Sequence, residues 1–79
     1  MKSKMVLVEW NDIAVVHGWV CIAEAREDEF ACCQSVGFLI EDNDDKIILA
    51  LSVSDYGNVF ERQVIPREAI KSIKKLRVR

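Results

Sequence analysis

The stretch Ser35–Val53 constrains this chain most. Two apolar runs, Val36-Gly37-Phe38-Leu39-Ile40 and Ile47-Ile48-Leu49-Ala50-Leu51-Ser52-Val53, flank a polar patch of Glu41-Asp42-Asn43-Asp44-Asp45-Lys46. Runs rich in β-branched and large aliphatic residues, split by a short polar segment, read as a hairpin between two buried strands. In the second run Ile47, Leu49, Leu51 and Val53 share one face and Ile48 and Ala50 the other. Being apolar on both faces marks it as a central strand. Gly37 interrupts the first run, as a glycine does at a bulge or sharp bend.

The rest of the chain supplies partners for this hairpin. Met5–Trp10 alternates as a strand with Val6, Val8 and Trp10 on one face. Asn11-Asp12 and His17-Gly18 are turn signals, and the apolar Ile13-Ala14-Val15-Val16 between them is expected to tuck under the sheet. Trp10 and Trp19 flank that loop; core packing is the expectation for both, with an exposed platform for stacking bases as the alternative. Val20–Phe30 mixes helix and strand formers and reads as a short helical turn ending in an acidic corner, Glu27-Asp28-Glu29. Strands follow over Ala31–Ile40, Lys46–Val53 and Val59–Ile65, the last stopped by Pro66, which cannot donate to a ladder. Pro66–Ala69 is then a tight helical turn, and Ile70–Val78 a final strand with Leu76 and Val78 opposite Lys75, Arg77 and Arg79. The expected fold is mainly β: one domain over residues 1–79, built as a small closed barrel of five strongly bent antiparallel strands, SH3-like or Sm-like, with a short helical segment and one 3-10 turn.

A 79-residue chain buries a small share of its surface, which favours oligomerisation. The formal net charge is -2, but its distribution is uneven. Residues 1–61 hold four Lys/Arg against twelve Asp/Glu, whereas residues 62–79 hold seven Lys/Arg against Glu68 alone. Such a basic strip either pairs with the acidic body, within or across subunits, or binds a partner. Cys21, Cys32 and Cys33 form no Cys-x-x-Cys, and adjacent strand residues point to opposite faces. Free thiols in a reducing cytoplasm (the host's, for a phage-encoded protein) are therefore the expectation, with no metal site and no cofactor. No apolar run is long enough to span a bilayer, so no membrane role is expected. With His17 as its one histidine, no phosphate-binding glycine loop and no nucleophile elbow, the sequence does not read as an enzyme.

Gln63-Val64-Ile65-Pro66-Arg67-Glu68-Ala69-Ile70-Lys71-Ser72-Ile73 resembles the second signature of Sm and Lsm proteins in the spacing of Ile65, Ile70 and Ile73. Ala69-Ile70, with a basic residue two positions earlier, is similar to the corresponding turn of bacterial Hfq proteins. Gly37-x-Leu39, an acidic loop and Leu49 resemble the first Sm signature. Trp10-x-Asp12, Gly18-Trp19, Ser35–Leu39 and Ile65-Pro66 together are similar to short phage-encoded proteins. The Sm-type resemblance covers Val36–Ile73 and implies a homo-oligomeric ring, closed by pairing edge strands 59–65 and 70–78 of neighbouring subunits. It also implies single-stranded RNA binding through Asp44 and Asp45 in the first loop and Pro66, Arg67 and Glu68 in the second. This chain departs from the family by having Pro66-Arg67 where Sm proteins have Arg-Gly, Pro66-Arg67-Glu68 where Hfq has Tyr-Lys-His, and Ile47 where an asparagine is usual.

Two functions follow as expectations. The first is an oligomeric barrel binding RNA or single-stranded DNA, with Arg67, Lys71, Lys74, Lys75, Arg77 and Arg79 on phosphates and an aromatic such as Tyr56 or Trp19 stacking a base. The alternative is an SH3-like protein-interaction module or phage accessory protein, whose acidic face or basic strip meets another protein.

Overall fold

The computed structural model describes residues 4–77. The elements are β1 (Met5–Asp12), α1 (Ile22–Ala25), β2 (Ala31–Asp42), β3 (Lys46–Val53), β4 (Val59–Pro66), a 3-10 turn (Arg67–Ala69) and β5 (Ile70–Lys75). All five strands lie in one antiparallel sheet of order β4-β3-β2-β1-β5. The β class, the short helical turn and the 3-10 turn thus stand as the sequence implies. Closure into a barrel does not: β4 and β5 are the two edges of an open sheet.

The sheet nevertheless encloses a core because β2 bends. Residues Ala31–Phe38 of β2 pair with β1, whereas Phe38–Asp42 pair with β3, so only Phe38 has both neighbours. The change of partner falls beside Gly37, where a Cβ would lie 2.9 Å from the Ala50 carbonyl oxygen and 3.1 Å from the Leu49 Cβ. A second irregularity lies between Leu39 and Glu41, leaving Ile40 out of register. The bend turns β1 to face β3, and Val6, Val8, Ile47, Leu49 and Ile65 become one buried cluster. Trp10, Leu39, Ala69, Ile70 and Ile73 pack around it, so the 3-10 turn and β5 close one side. Trp10 keeps its indole N–H satisfied by donating to the Ser35 hydroxyl at 3.0 Å.

Two segments leave this core. Every residue from Asp12 to Phe30 is exposed, forming an arm between β1 and β2. This corrects the expected burial of Ile13–Val16 and of Trp19, whose relative exposure is 103%. The physical reason is that the bent sheet is already filled from β1, β3 and β4, and four-residue α1 is too short to present a buried stripe. The β3–β4 hairpin also runs past the point where β2 leaves β3 to pair with β1, leaving Leu51 and Phe60 exposed. Together they give principal-axis extents of 54 × 26 × 21 Å and a radius of gyration of 16.3 Å. A compact chain of this length would have about 12 Å.

Two core substitutions test this account. Gly37→Ala should destabilise by about 1–3 kcal/mol because backbone must give way, and Ile65→Ala by about 2–5 kcal/mol through its cavity. Denaturant unfolding monitored by tryptophan fluorescence, in which Trp10 changes environment, measures both; an unchanged midpoint for Gly37→Ala would contradict the close approach of β2 and β3.

Candidate functional site

The residues expected to bind phosphate do not form one surface. Arg67 opens the 3-10 turn and is engaged within the chain: its guanidinium pairs with the Asp42 carboxylate and its Nε donates to the Asn43 carbonyl at 3.0 Å. Its backbone N–H donates to the Asp45 carbonyl at 2.9 Å. Asn43 caps the same loop by accepting from the N–H groups of Asp45 and Lys46. Arg67 therefore ties the β2–β3 loop to the turn before β5, a positioning role that the sequence reading assigned to ligand contact. Both side chains are partly exposed, so the ion pair itself contributes no more than about 1 kcal/mol.

Along β5 the cations separate. Lys74 lies opposite Leu7 and Ser72 opposite Glu9, which puts both on the outer face. Lys75 lies opposite Val6 and Ile73 opposite Val8, on the core-side face. Between Ser72 and Ile70 the register shifts, leaving Lys71 as the bulged residue. Glu9 anchors the outer face: it accepts from the Ser72 hydroxyl at 2.8 Å and sits 3.8 Å from the Lys74 ammonium. The Ser72 hydrogen bond, then Gln34 and Lys74, hold the Glu9 carboxyl below its ordinary value. Arg77 is exposed past the end of β5, and Arg79 lies outside the described residues. Tyr56 is exposed in the Ser54–Asn58 turn, beside edge strand β4 and across the sheet order from β5. Lys71, Lys74, Lys75 and Arg77 are thus grouped at one edge strand, without Arg67 and without Tyr56.

A second surface was not anticipated from sequence. At the root of the arm an open cleft of about 300 Å³ is walled by Asn11, Asp12 and Ile13 from the end of β1, Phe30 from the return of the arm, and Pro66, Glu68 and Ala69 from the 3-10 turn. A neighbouring cleft of about 420 Å³ shares Ile13 and Phe30 and adds Ala14, Val16, Asp28 and Glu29. Together they make a groove with an apolar floor of Ile13, Val16, Phe30, Pro66 and Ala69. Its charged walls are Asp12, Asp28, Glu29 and Glu68, with no lysine or arginine among them. Ile13 and Phe30 remain 78% and 65% exposed, so the floor is open to a partner. The acidic corner of Glu27–Glu29 and the apolar run Ile13–Val16 were legible separately; their meeting depends on the arm returning beside the 3-10 turn.

No family model, no curated protein and no solved structure matches the chain. Among the described residues no helix is long and apolar enough to cross a membrane.

The lowered Glu9 pKa has a consequence for stability. A carboxyl with a depressed folded-state pKa stabilises above its unfolded pKa and loses that contribution as pH falls through the folded value. The melting midpoint of the native chain should therefore exceed that of Glu9→Gln at neutral pH, and the gap should close on acidification below the usual glutamate range. Thermal melts of both proteins between neutral pH and strongly acid pH measure it; a constant gap would contradict the coupling.

Proposed function

We propose that the protein is a protein-interaction module that uses the groove between the arm and the 3-10 turn to hold an apolar, basic segment of a partner. The single observation that carries this reading is the apolar floor around Ile13 and Phe30, whose charged walls are all carboxylates. Exposed Ile13, Val16 and Phe30 grouped in an open groove on a small chain support a contact surface. The acidic walls favour a positively charged segment and disfavour nucleic acid, whose phosphates they repel. Burying an aromatic anchor such as Phe30 supplies most of the affinity in a contact of this kind, and rim charges set selectivity and encounter rate.

A second reading, an oligomeric Sm-like protein that binds single-stranded nucleic acid, draws support from Lys71, Lys74, Lys75 and Arg77 on the free edge strand and beyond it. Unpaired edges at β4 and β5 would also suit ring closure between subunits. It is the weaker reading because Arg67 is engaged by Asp42 and the cations of β5 divide between two faces.

A library of labelled hexapeptides, half basic and half apolar, tests the first reading by fluorescence anisotropy. Peptides with both characters should bind, and Phe30→Asp should weaken them by at least about tenfold, as expected for loss of a buried aromatic anchor. Equal binding of acidic and basic peptides would overturn it. A labelled single-stranded RNA pool tests the second: binding at low salt should fall steeply with added salt, and Lys74→Ala with Lys75→Ala should flatten that slope. No binding at low salt would remove the nucleic-acid reading.

A further inference from the structure

We infer that the segment held by the groove is the basic end of a second copy of this chain, Lys74–Arg77, so that copies join head to tail. This rests on the groove being a protein-binding site. The first support is chemical: Lys74 and Lys75 lie on opposite faces of the strand end, with Leu76 and Arg77 following, so the segment carries cations to both sides. That is the complement of an apolar floor at Ile13 and Phe30 walled by Asp12, Asp28, Glu29 and Glu68. The net charge of -2 hides this polarity, because the groove carboxylates lie apart from the β5 cations, of which Lys74 also sits beside Glu9.

The second support is geometric. The groove lies where Asp12 ends β1 and where β5 begins, with Ile70 opposite Trp10. The strand then runs away from the groove, until Lys75 lies opposite Val6 and the Leu76 N–H donates to the Met5 carbonyl at 2.9 Å. At about 3.3 Å per residue, the seven steps from Met5 to Asp12 put the basic end roughly 20 Å from the chain's own groove. It cannot fold back without dismantling the β1–β5 ladder. Donor and acceptor therefore sit at opposite ends of one pair of strands, an arrangement that one chain cannot satisfy within itself and a second copy can. A contact between different patches is heterologous and generates closed rings or open chains.

The third support is area. Each fully buried aromatic contributes about 150–250 Å², and the groove leaves Phe30 largely exposed together with Ile13 and Val16 for the strand end to cover.

The test is a charge exchange followed by light scattering after size exclusion. The native chain should gain mass with concentration and lose it in high salt. Asp28→Lys with Glu29→Lys and Glu68→Lys makes the groove net basic, and Lys74→Glu with Lys75→Glu makes Lys74–Arg77 net acidic; all five positions are exposed, and circular dichroism checks that each variant folds. Each variant alone should associate more than about 100-fold more weakly. An equimolar mixture should recover native mass, because each groove then meets a strand end of opposite charge. A native chain that stays monomeric up to about millimolar concentration, or variants that keep their mass, would overturn the proposal. A labelled Lys-Lys-Leu-Arg-Val-Arg peptide separates the two levels. If the peptide binds while the chain stays monomeric, the second copy is ruled out and the groove stands. If neither the peptide nor any basic–apolar hexapeptide binds, the groove reading falls as well.

Discussion

The close passage of β2 over β3 at Gly37 is the constraint on which the rest of the structure depends. A flat antiparallel sheet of order β4-β3-β2-β1-β5 would separate β1 from β3 by a whole strand. Val6 and Val8 could then never meet Ile47, Leu49 and Ile65. Because Gly37 has no Cβ to strike the Ala50 carbonyl, β2 changes partners there and folds its two halves toward each other. The core is a product of that bend. So is the position of the 3-10 turn, since Ala69 and Ile70 are drawn in against the same cluster.

What the bend encloses is small. Five side chains form the buried cluster, and a chain of this size has little other apolar burial to offset its conformational entropy. Polar ties help hold the periphery: Arg67 joins the β2–β3 loop to the 3-10 turn, and Glu9 collects Ser72 and Lys74 across β1 and β5. Neither tie is deeply buried, so each orients more than it stabilises. Such a scaffold has no room left inside for the arm. Its apolar residues stay on the surface, and in that position they are available for contacts between molecules.

The electrostatics follow from the same architecture. Acidic residues reach the root of the arm from three separate places: the end of β1, the return of the arm and the 3-10 turn. The basic residues ride out along β5 in the opposite direction. The low net charge is therefore compatible with oppositely charged regions at the groove and along β5.

Much of the fold was legible in the sequence, and the particulars show why. Lys46–Val53 could be bounded as a strand because its alternation and polar flanks are local properties, and Pro66 had to end β4 because it lacks an N–H to donate. The break at Gly37 was legible for the same reason. What local pattern could not supply was burial: Ile13 and Trp19 are as apolar as Val8 and Trp10, yet only the latter pair reaches the core, because the space inside a bent sheet is set by which strands face each other. Nor could it distinguish Arg67, whose carboxylate partner lies twenty-five residues away, from the cations along β5. The sequence by itself determined the strands, the stop at Pro66 and the segregation of charge, since these depend on neighbours along the chain. Tertiary structure alone decided that the sheet stays open, that Arg67 is engaged and that an acidic, apolar groove forms, since each requires residues distant in sequence to meet in space.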